Sequence, residues 1–175
     1  VLLGLEDMDA LLRRPEYQLV KAEKIQDWRE KGRMANWKEQ KVYRREKLRP
    51  LWMQLTRALH DQGVPLLLGT DSSVEGIVPG ASEHGELALL VEAGLSPFEA
   101  LAAGTRDAAL IAGRMKVDES WGTIAVGNYA DLVLLAGNPL EDIAHTTTIV
   151  GVMVHGRWLS KAELDQGVAE YVGEG

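Results

Sequence analysis

The pattern of apolar and polar positions centres on one short segment, residues 63–73, with the sequence GVPLLLGTDSS. An unbroken apolar segment flanked by glycine predicts a strand covered on both faces, as in a parallel α/β sheet. In such folds the chemistry lies just beyond the carboxyl ends of the strands. Asp71 occupies that place and is a candidate functional residue. The alternative is that its side chain only caps the following turn.

Apolar residues at helical spacing flank this segment on both sides. Before it, helices are predicted over Glu6–Arg14 and from Pro50 to about Asp61, since proline suits the first helical turn. After it, helices are predicted over His84–Ala93 and Arg106–Ala112, and Ser96-Pro97-Phe98-Glu99 predicts a capping box at the start of another. The expected buried stripe of the Pro50 helix is Leu48, Leu51, Trp52, Leu55 and Leu59.

From residue 122 onward the pattern changes to short β-rich segments separated by glycine, asparagine and proline. This spacing predicts strands at Thr123–Val126, Leu132–Leu135 and Thr148–Val154. The sequence His155-Gly156-Arg157-Trp158 predicts a hairpin turn into a short last strand. A final amphipathic helix is expected over Lys161–Tyr171.

Residues 16–45 are polar, rich in charge and without clear periodicity. This segment contains Trp28 and Trp37. An insertion of this kind can cover an active site, so both tryptophans are candidates for stacking on a substrate. The alternative, which we favour, is that they pack the insertion onto the rest of the chain.

The composition restricts the class of protein. The 175 residues carry a net charge of -7 and are 46% hydrophobic, which suffices for a folded core. No apolar segment approaches the length of a membrane span, so no membrane partner is expected. Basic residues are concentrated before residue 61, where they alternate with acidic ones as on a solvated helical face. We therefore expect no nucleic-acid partner, and a nucleic-acid binder using Lys38–Arg49 is the weaker alternative.

The absence of cysteine excludes disulfides and thiolate metal ligands and fits a reducing compartment. A cytoplasmic location is the resulting expectation. The first residue is Val1 rather than methionine, so the lack of a signal-like sequence carries little weight.

Four segments that follow Asp71 have the order and spacing found in the C-terminal part of the amidohydrolase superfamily. The chain resembles the imidazolonepropionase-like group, which also holds prolidase-like and Xaa-Arg-dipeptidase-like enzymes. The resemblance extends from about Leu48 to Asp165. The four segments are VPGASEHGEL (78–87), LVEAGLSPFEAL (90–101), GTIAVGNYADLVLL (122–135) and GNPLEDI (137–143).

The resemblance implies an α/β fold, specifically the C-terminal fragment of a (β/α)8 TIM-like barrel followed by part of a small β-sandwich domain. Residues 1–115 would form the C-terminal portion of the barrel, with a lid insertion at about 16–45 and the last barrel strand at about 64–70. Residues 116–160 would form the C-terminal part of the sandwich, and residues 161–175 a terminal helix or tail.

The resemblance also implies a catalytic metal centre to which this chain contributes one ligand. The superfamily binds metal through a His-x-His pair, often a carboxylated lysine, and two later histidines. The four histidines of this chain show no His-x-His or His-x-x-x-His spacing. The implied cofactor is a divalent metal, most simply one or two Zn²⁺ ions, whose other ligands are absent from this chain. By resemblance Asp71 ligates the metal, takes a proton from the metal-bound water and passes it to the leaving amine.

Three further residues are candidates for substrate binding. By resemblance, His84 lines the substrate pocket or orients a substrate carboxylate; the alternative is a residue at a helix start that contacts the sandwich. Ser72 and Ser73 follow the predicted strand end and are placed to touch substrate. Asp131, which precedes a predicted strand, is instead interpreted as a structural turn anchor.

The predicted function is metal-dependent hydrolysis of C–N bonds in amides, cyclic amides or dipeptides through metal-activated water. The substrate would be a small amide or short peptide, and a homo-oligomeric state is left open. This chain would supply only the last metal ligand and base, so alone it is expected to be inactive and poorly stable. The alternative is a non-catalytic binding or interaction module that retains a barrel remnant.

Overall fold

The computed structural model describes residues 8–30, 42–72, 74–115 and 120–173, and every structural statement below concerns these residues. They form a mixed α/β fold in which helices predominate before residue 115 and a small sheet follows. The α/β class predicted from the sequence is confirmed at this level. The α-helices are α1 (Met8–Leu11), α2 (Ala22–Glu30), α3 (Arg49–Asp61), α4 (Ala81–Glu92), α5 (Pro97–Gly104), α6 (Arg106–Arg114) and α7 (Lys161–Gly173). The strands are β1 (Leu132–Leu135), β2 (Ile149–Val154) and β3 (Arg157–Ser160), with 3-10 helices at Pro15–Leu19 and Ile143–Thr147.

Helix α3 has the predicted bounds, with Pro50 in its first turn and a π-helical segment, Arg44–Leu48, leading into it. The prediction that its apolar stripe is buried is wrong, since Leu51 is 56% and Leu55 is 54% exposed. The contacts that hold α3 are polar: Arg49 pairs with Glu92, and the Arg57 side chain donates a 2.8 Å hydrogen bond to the Gly94 carbonyl. The apolar face of α3 is therefore only partly covered by the described residues, with Trp52 and Leu59 half-buried and Leu51 and Leu55 exposed.

Residues 64–70 were expected to form a strand, but in the described structure they pair with no other strand. The Leu68 amide instead donates a 3.2 Å hydrogen bond to the carbonyl of Ala103 at the end of α5. A strand requires a neighbouring strand to accept its backbone hydrogen bonds, and among the described residues none lies beside this segment. Leu66 and Leu68 nevertheless pack against the hydrophobic core, so one side of the segment makes apolar contacts.

The main core lies between α4, α5 and the 3-10 helix at 143–147. The predicted capping box at the start of α5 is confirmed: the Ser96 side chain accepts from the Glu99 amide, and the Glu99 carboxylate accepts from the Ser96 amide. The buried members of this core are Leu87, Leu90, Leu95, Ala100, Ala103 and Ile143.

The sheet is antiparallel with strand order β1-β2-β3. The predicted strands at 132–135 and 148–154 are confirmed to within a residue, and the predicted hairpin leads into β3. Asp131 anchors this hairpin as predicted, since its Oδ1 accepts a 2.6 Å hydrogen bond from the His155 amide.

The strand predicted at Thr123–Val126 is absent from the described residues, which form a turn there. The Asn128 side-chain amide donates to both the carbonyl and the hydroxyl of Thr123, at 3.0 Å each. These local hydrogen bonds provide a donor for the Thr123 carbonyl and hydroxyl without a partner strand. Ile124 and Val126 are consequently exposed.

A second apolar cluster, the insertion cluster, consists of Leu11, Tyr17, Trp28 and Val78. Trp28 is only 6% exposed and meets the Tyr17 ring edge-on, with 6.4 Å between ring centroids. The favoured interpretation of Trp28 as a packing residue is therefore confirmed, while Trp37 lies outside the described residues. The cluster joins the start of the insertion to residue 78 in the loop after Asp71.

The predicted C-terminal helix is confirmed as α7. Its first turn is held by a second Ser-x-x-Glu arrangement, because the Glu163 carboxylate accepts from both the amide and the hydroxyl of Ser160. None of the helices in the described ranges is long and apolar enough to cross a membrane.

Candidate active site

Asp71 lies directly after the apolar segment and adopts a left-handed backbone conformation, with φ of +55°. Aspartate visits this region more readily than most residues, but the conformation still costs about 1–3 kcal/mol and persists only where the surroundings hold it. The Asp71 carbonyl accepts a 3.2 Å hydrogen bond from the Val74 amide, and the Ile77 amide donates 3.1 Å to the Val74 carbonyl. Two successive turns therefore follow Asp71.

The Asp71 side chain is exposed, and within the described residues its carboxylate has no hydrogen-bond partner. A carboxylate that only caps its own turn would accept from the amide two residues on. That amide belongs to Ser73, which lies outside the described residues, so the capping alternative is still only a prediction. What the structure shows is a solvent-facing carboxylate at the end of a partly buried apolar segment.

The loop that carries Asp71 is buried beyond its first residues, at Gly76, Ile77 and Val78. The Tyr17 hydroxyl donates a 2.6 Å hydrogen bond to the carbonyl of Gly76. The Ser82 hydroxyl accepts 2.9 Å from the Val78 amide and thereby ties the loop to the first turn of α4. No sequence pattern marks Tyr17, which is 59 residues from Gly76 along the chain.

His84 lies in the first turn of α4, where its Nδ1 is 3.0 Å from the hydroxyl oxygen of Thr146. That hydroxyl donates its only proton to the Ile143 carbonyl at 2.8 Å, so it must accept from His84. In the neutral form of the ring, this geometry places the proton on Nδ1 and the lone pair on Nε2. This contact with the 3-10 helix at 143–147 matches the alternative predicted for His84, and no described contact joins His84 to Asp71.

Residues 18–159 match the amidohydrolase family, which is most of the chain. The chain belongs to the amidohydrolase family. Among curated proteins no significant match was found.

Solved amidohydrolases provide the structural comparison. Bottromycin amidohydrolase is 26% identical with a TM-score of 0.67, and the match covers 99% of this chain and 38% of that one. A Xaa-Pro dipeptidase with methionine bound in its active site is also 26% identical, with a TM-score of 0.54 over 63% of this chain and 26% of that one. The present amidohydrolase chain thus spans between about a quarter and two fifths of the length of these structures.

Members of the amidohydrolase family generally use divalent metals. Across the ranges that the structure describes, no group of three or more His, Asp or Glu side chains is placed to hold a metal ion. A catalytic zinc needs about three protein ligands. The described residues do not fit such a centre by themselves, and Asp71 can contribute at most one ligand to it.

The remaining candidate residues of the amidohydrolase chain are only partly placed. Ser72 is exposed next to Asp71, whereas Ser73 lies outside the described residues. Glu86, two residues after His84, was not identified from the sequence. Partial burial raises the pKa of the Glu86 carboxyl. No pattern in the sequence marks Glu86, since it is one of several acidic residues in α4.

Proposed function

We propose that this chain contributes the catalytic carboxylate, Asp71, to an enzyme that hydrolyses C–N bonds. The observation that supports this most directly is the placement of Asp71 within an amidohydrolase match. Its exposed carboxylate follows the apolar segment at 64–70 in a backbone conformation that only surrounding structure can maintain. Non-glycine residues in such conformations cluster at active sites.

The proposed fold context is the C-terminal part of a (β/α)8 barrel, residues 1–115, followed by part of a β-sandwich at 116–160 and a terminal helix at 161–175. Support comes from the apolar segment at 64–70, where Val64 and Leu67 are exposed while Leu66 and Leu68 pack inward. A segment of this kind suits a strand with a second covering layer. The 38% of bottromycin amidohydrolase that the chain matches also supports this assignment.

The proposed role of Asp71 is proton transfer. Its carboxylate takes a proton from the water whose oxygen bonds to the amide carbon, and it returns that proton to the nitrogen as the C–N bond breaks. Proton balance is thus maintained by a single group acting first as base and then as acid. The cofactor proposed is one or two zinc ions, with ligands beyond those described.

The proposed substrates are small amides, cyclic amides or short peptides. The Xaa-Pro dipeptidase and bottromycin amidohydrolase support this class through their names. His84 is proposed to contact the substrate through Nε2, which the Thr146 hydrogen bond leaves available. Ser72 and Ser73 are proposed to contribute further substrate contacts.

The test uses the protein encoded by the complete reading frame, loaded with Zn²⁺ and assayed on dipeptides, N-acetyl amino acids and hydantoin. Asp71→Asn keeps the side-chain shape but removes the base, so kcat/KM is expected to fall by about 100- to 10,000-fold. The matched control is Asp61→Asn, the same change at an exposed position of α3 that pairs with Arg57, which should retain full activity. His84→Gln in the same assay should raise KM more than it lowers kcat.

Retention of activity by Asp71→Asn would contradict the proposed function. A wild-type protein that turns over no amide but binds another macromolecule, with Asp71→Asn binding equally well, would favour the non-catalytic alternative instead.

A further inference from the structure

The insertion at 16–45 was expected either to cover a substrate or to pack onto the chain, and the structure shows what its described N-terminal part, residues 16–30, packs against. Tyr17 and Trp28 are buried in one apolar cluster with Val78, which lies in the loop that begins at Asp71. Tyr17 is only 3% exposed. The insertion therefore contacts the one segment that carries the candidate catalytic carboxylate.

A continuous hydrogen-bonded path leads from this contact back to Asp71. The Tyr17 hydroxyl donates to the Gly76 carbonyl at 2.6 Å. The adjacent Ile77 amide donates to the Val74 carbonyl at 3.1 Å, and the Val74 amide donates to the Asp71 carbonyl at 3.2 Å. These hydrogen bonds link the successive turns of the loop, and the series ends at the buried hydroxyl of Tyr17.

Burial makes the Tyr17 hydrogen bond costly to remove. Gly76 is itself buried, and a buried carbonyl that loses its donor pays a desolvation penalty that favours rearrangement of the loop. Asp71 responds readily to such rearrangement because its left-handed backbone is held only by its surroundings.

We propose that Tyr17 is a positioning residue for Asp71: through the Gly76 carbonyl it fixes the loop that aims the catalytic carboxylate. This inference rests on the proposed function of Asp71. Tyr17 touches neither substrate nor reacting atoms, and its effect is on the orientation of the base. A displacement of about 1 Å at a catalytic group costs on the order of 100-fold in rate.

The test is Tyr17→Phe in the zinc-loaded protein from the complete reading frame, with kcat and KM measured separately. Phenylalanine keeps the ring against Trp28 and removes only the hydroxyl. We expect kcat to fall about tenfold to 100-fold with KM changed less than about twofold, because proton transfer and not substrate binding is impaired. Amide hydrogen exchange at Val74 and Ile77 should accelerate in the same variant.

Two controls separate positioning from general stability. Tyr171→Phe removes a hydroxyl from an exposed tyrosine of α7 and should change neither kcat nor exchange in the loop. Trp28→Phe leaves the Tyr17 hydroxyl in place while loosening the insertion cluster, so it should lower the melting temperature but retain most of kcat.

Unchanged kcat and unchanged exchange at Val74 and Ile77 in Tyr17→Phe would overturn the inference. If that variant does not fold, the unmodified protein still decides, since loop amides that exchange as fast as an unstructured peptide would refute a fixed loop. Failure of the proposed function is distinguishable, because it appears as an active Asp71→Asn protein. An inactive Asp71→Asn with a fully active Tyr17→Phe overturns only the positioning role.

Discussion

The proton on Nδ1 of His84 depends on one neighbouring hydroxyl. Thr146 is 5% exposed and uses its own proton on the Ile143 carbonyl, which leaves its oxygen as an acceptor for the imidazole. In the neutral ring, Nε2 is then the nitrogen that carries the lone pair. The tautomer of the neutral His84 ring is therefore set by Thr146, a residue near the C-terminal sheet.

Thr146→Val tests that assignment, because valine keeps the shape and removes both hydrogen bonds. The neutral imidazole should shift toward the Nε2-protonated form, and the free energy of unfolding should fall by about 1 kcal/mol for each of the two lost bonds. Nitrogen chemical shifts of the His84 ring and urea unfolding measure the two effects. The control is Thr147→Val, which removes an exposed hydroxyl bonded to the Ala144 carbonyl. A Nδ1-protonated ring that persists in Thr146→Val would refute the assignment.

Asp71 and Tyr17 differ in how far the sequence could predict them. Asp71 follows an apolar segment and sits within a recognisable family pattern, so the sequence marks it as a candidate, while the segment alone leaves turn capping as an equal alternative. Tyr17 acts through a carbonyl 59 residues away, and no local spacing in the sequence encodes that contact. Long-range hydrogen bonds to backbone groups are set by tertiary packing, which is why this part of the site appears only in the structure.

At the scale of elements, short sequence motifs correctly predicted the structures whose hydrogen bonds join residues close in the sequence or in one hairpin. The Ser96–Glu99 capping box and the Asp131 turn anchor depend on short spacings and both formed as expected. Segments 64–70 and 123–126 needed partner strands, which the described residues do not supply. Apolar content alone could not distinguish a paired strand from an extended segment packed on a helix.

Gly122, in the turn before the sheet, packs against the start of α6, and its geometry leaves no room for a side chain. It has φ of +85°, and an added Cβ would lie 2.7 Å from both the Thr105 carbonyl oxygen and the Ala109 Cβ. Backbone at that distance cannot move without shifting the start of α6. Close packing at this point therefore fixes how the turn meets the helix.

Gly122→Ala should lower the free energy of unfolding by more than Gly127→Ala does, by about 1–3 kcal/mol. Gly127 is the matched control because its φ is also positive, at +96°, while an added Cβ there has nothing within 4 Å. The difference between the two variants in urea unfolding isolates the steric contact from the backbone strain. Equal destabilisation of both would contradict the close packing of Gly122 against α6.

At the scale of the whole molecule, the described residues leave apolar side chains exposed on α3 and on the segment at 64–70. Leu51, Leu55 and Leu67 are about half exposed. The chain also spans only 38% of bottromycin amidohydrolase and 26% of the Xaa-Pro dipeptidase. The described ranges likewise hold no group of three or more His, Asp or Glu side chains placed to bind a metal ion.

The most direct test of the central claim is zinc-edge anomalous diffraction from crystals of the protein encoded by the complete reading frame. We predict an anomalous peak with an Asp71 carboxylate oxygen about 2.0–2.2 Å away, alongside ligands from residues beyond those described here. A metal peak whose ligands exclude Asp71, with that carboxylate left in solvent, would contradict the account.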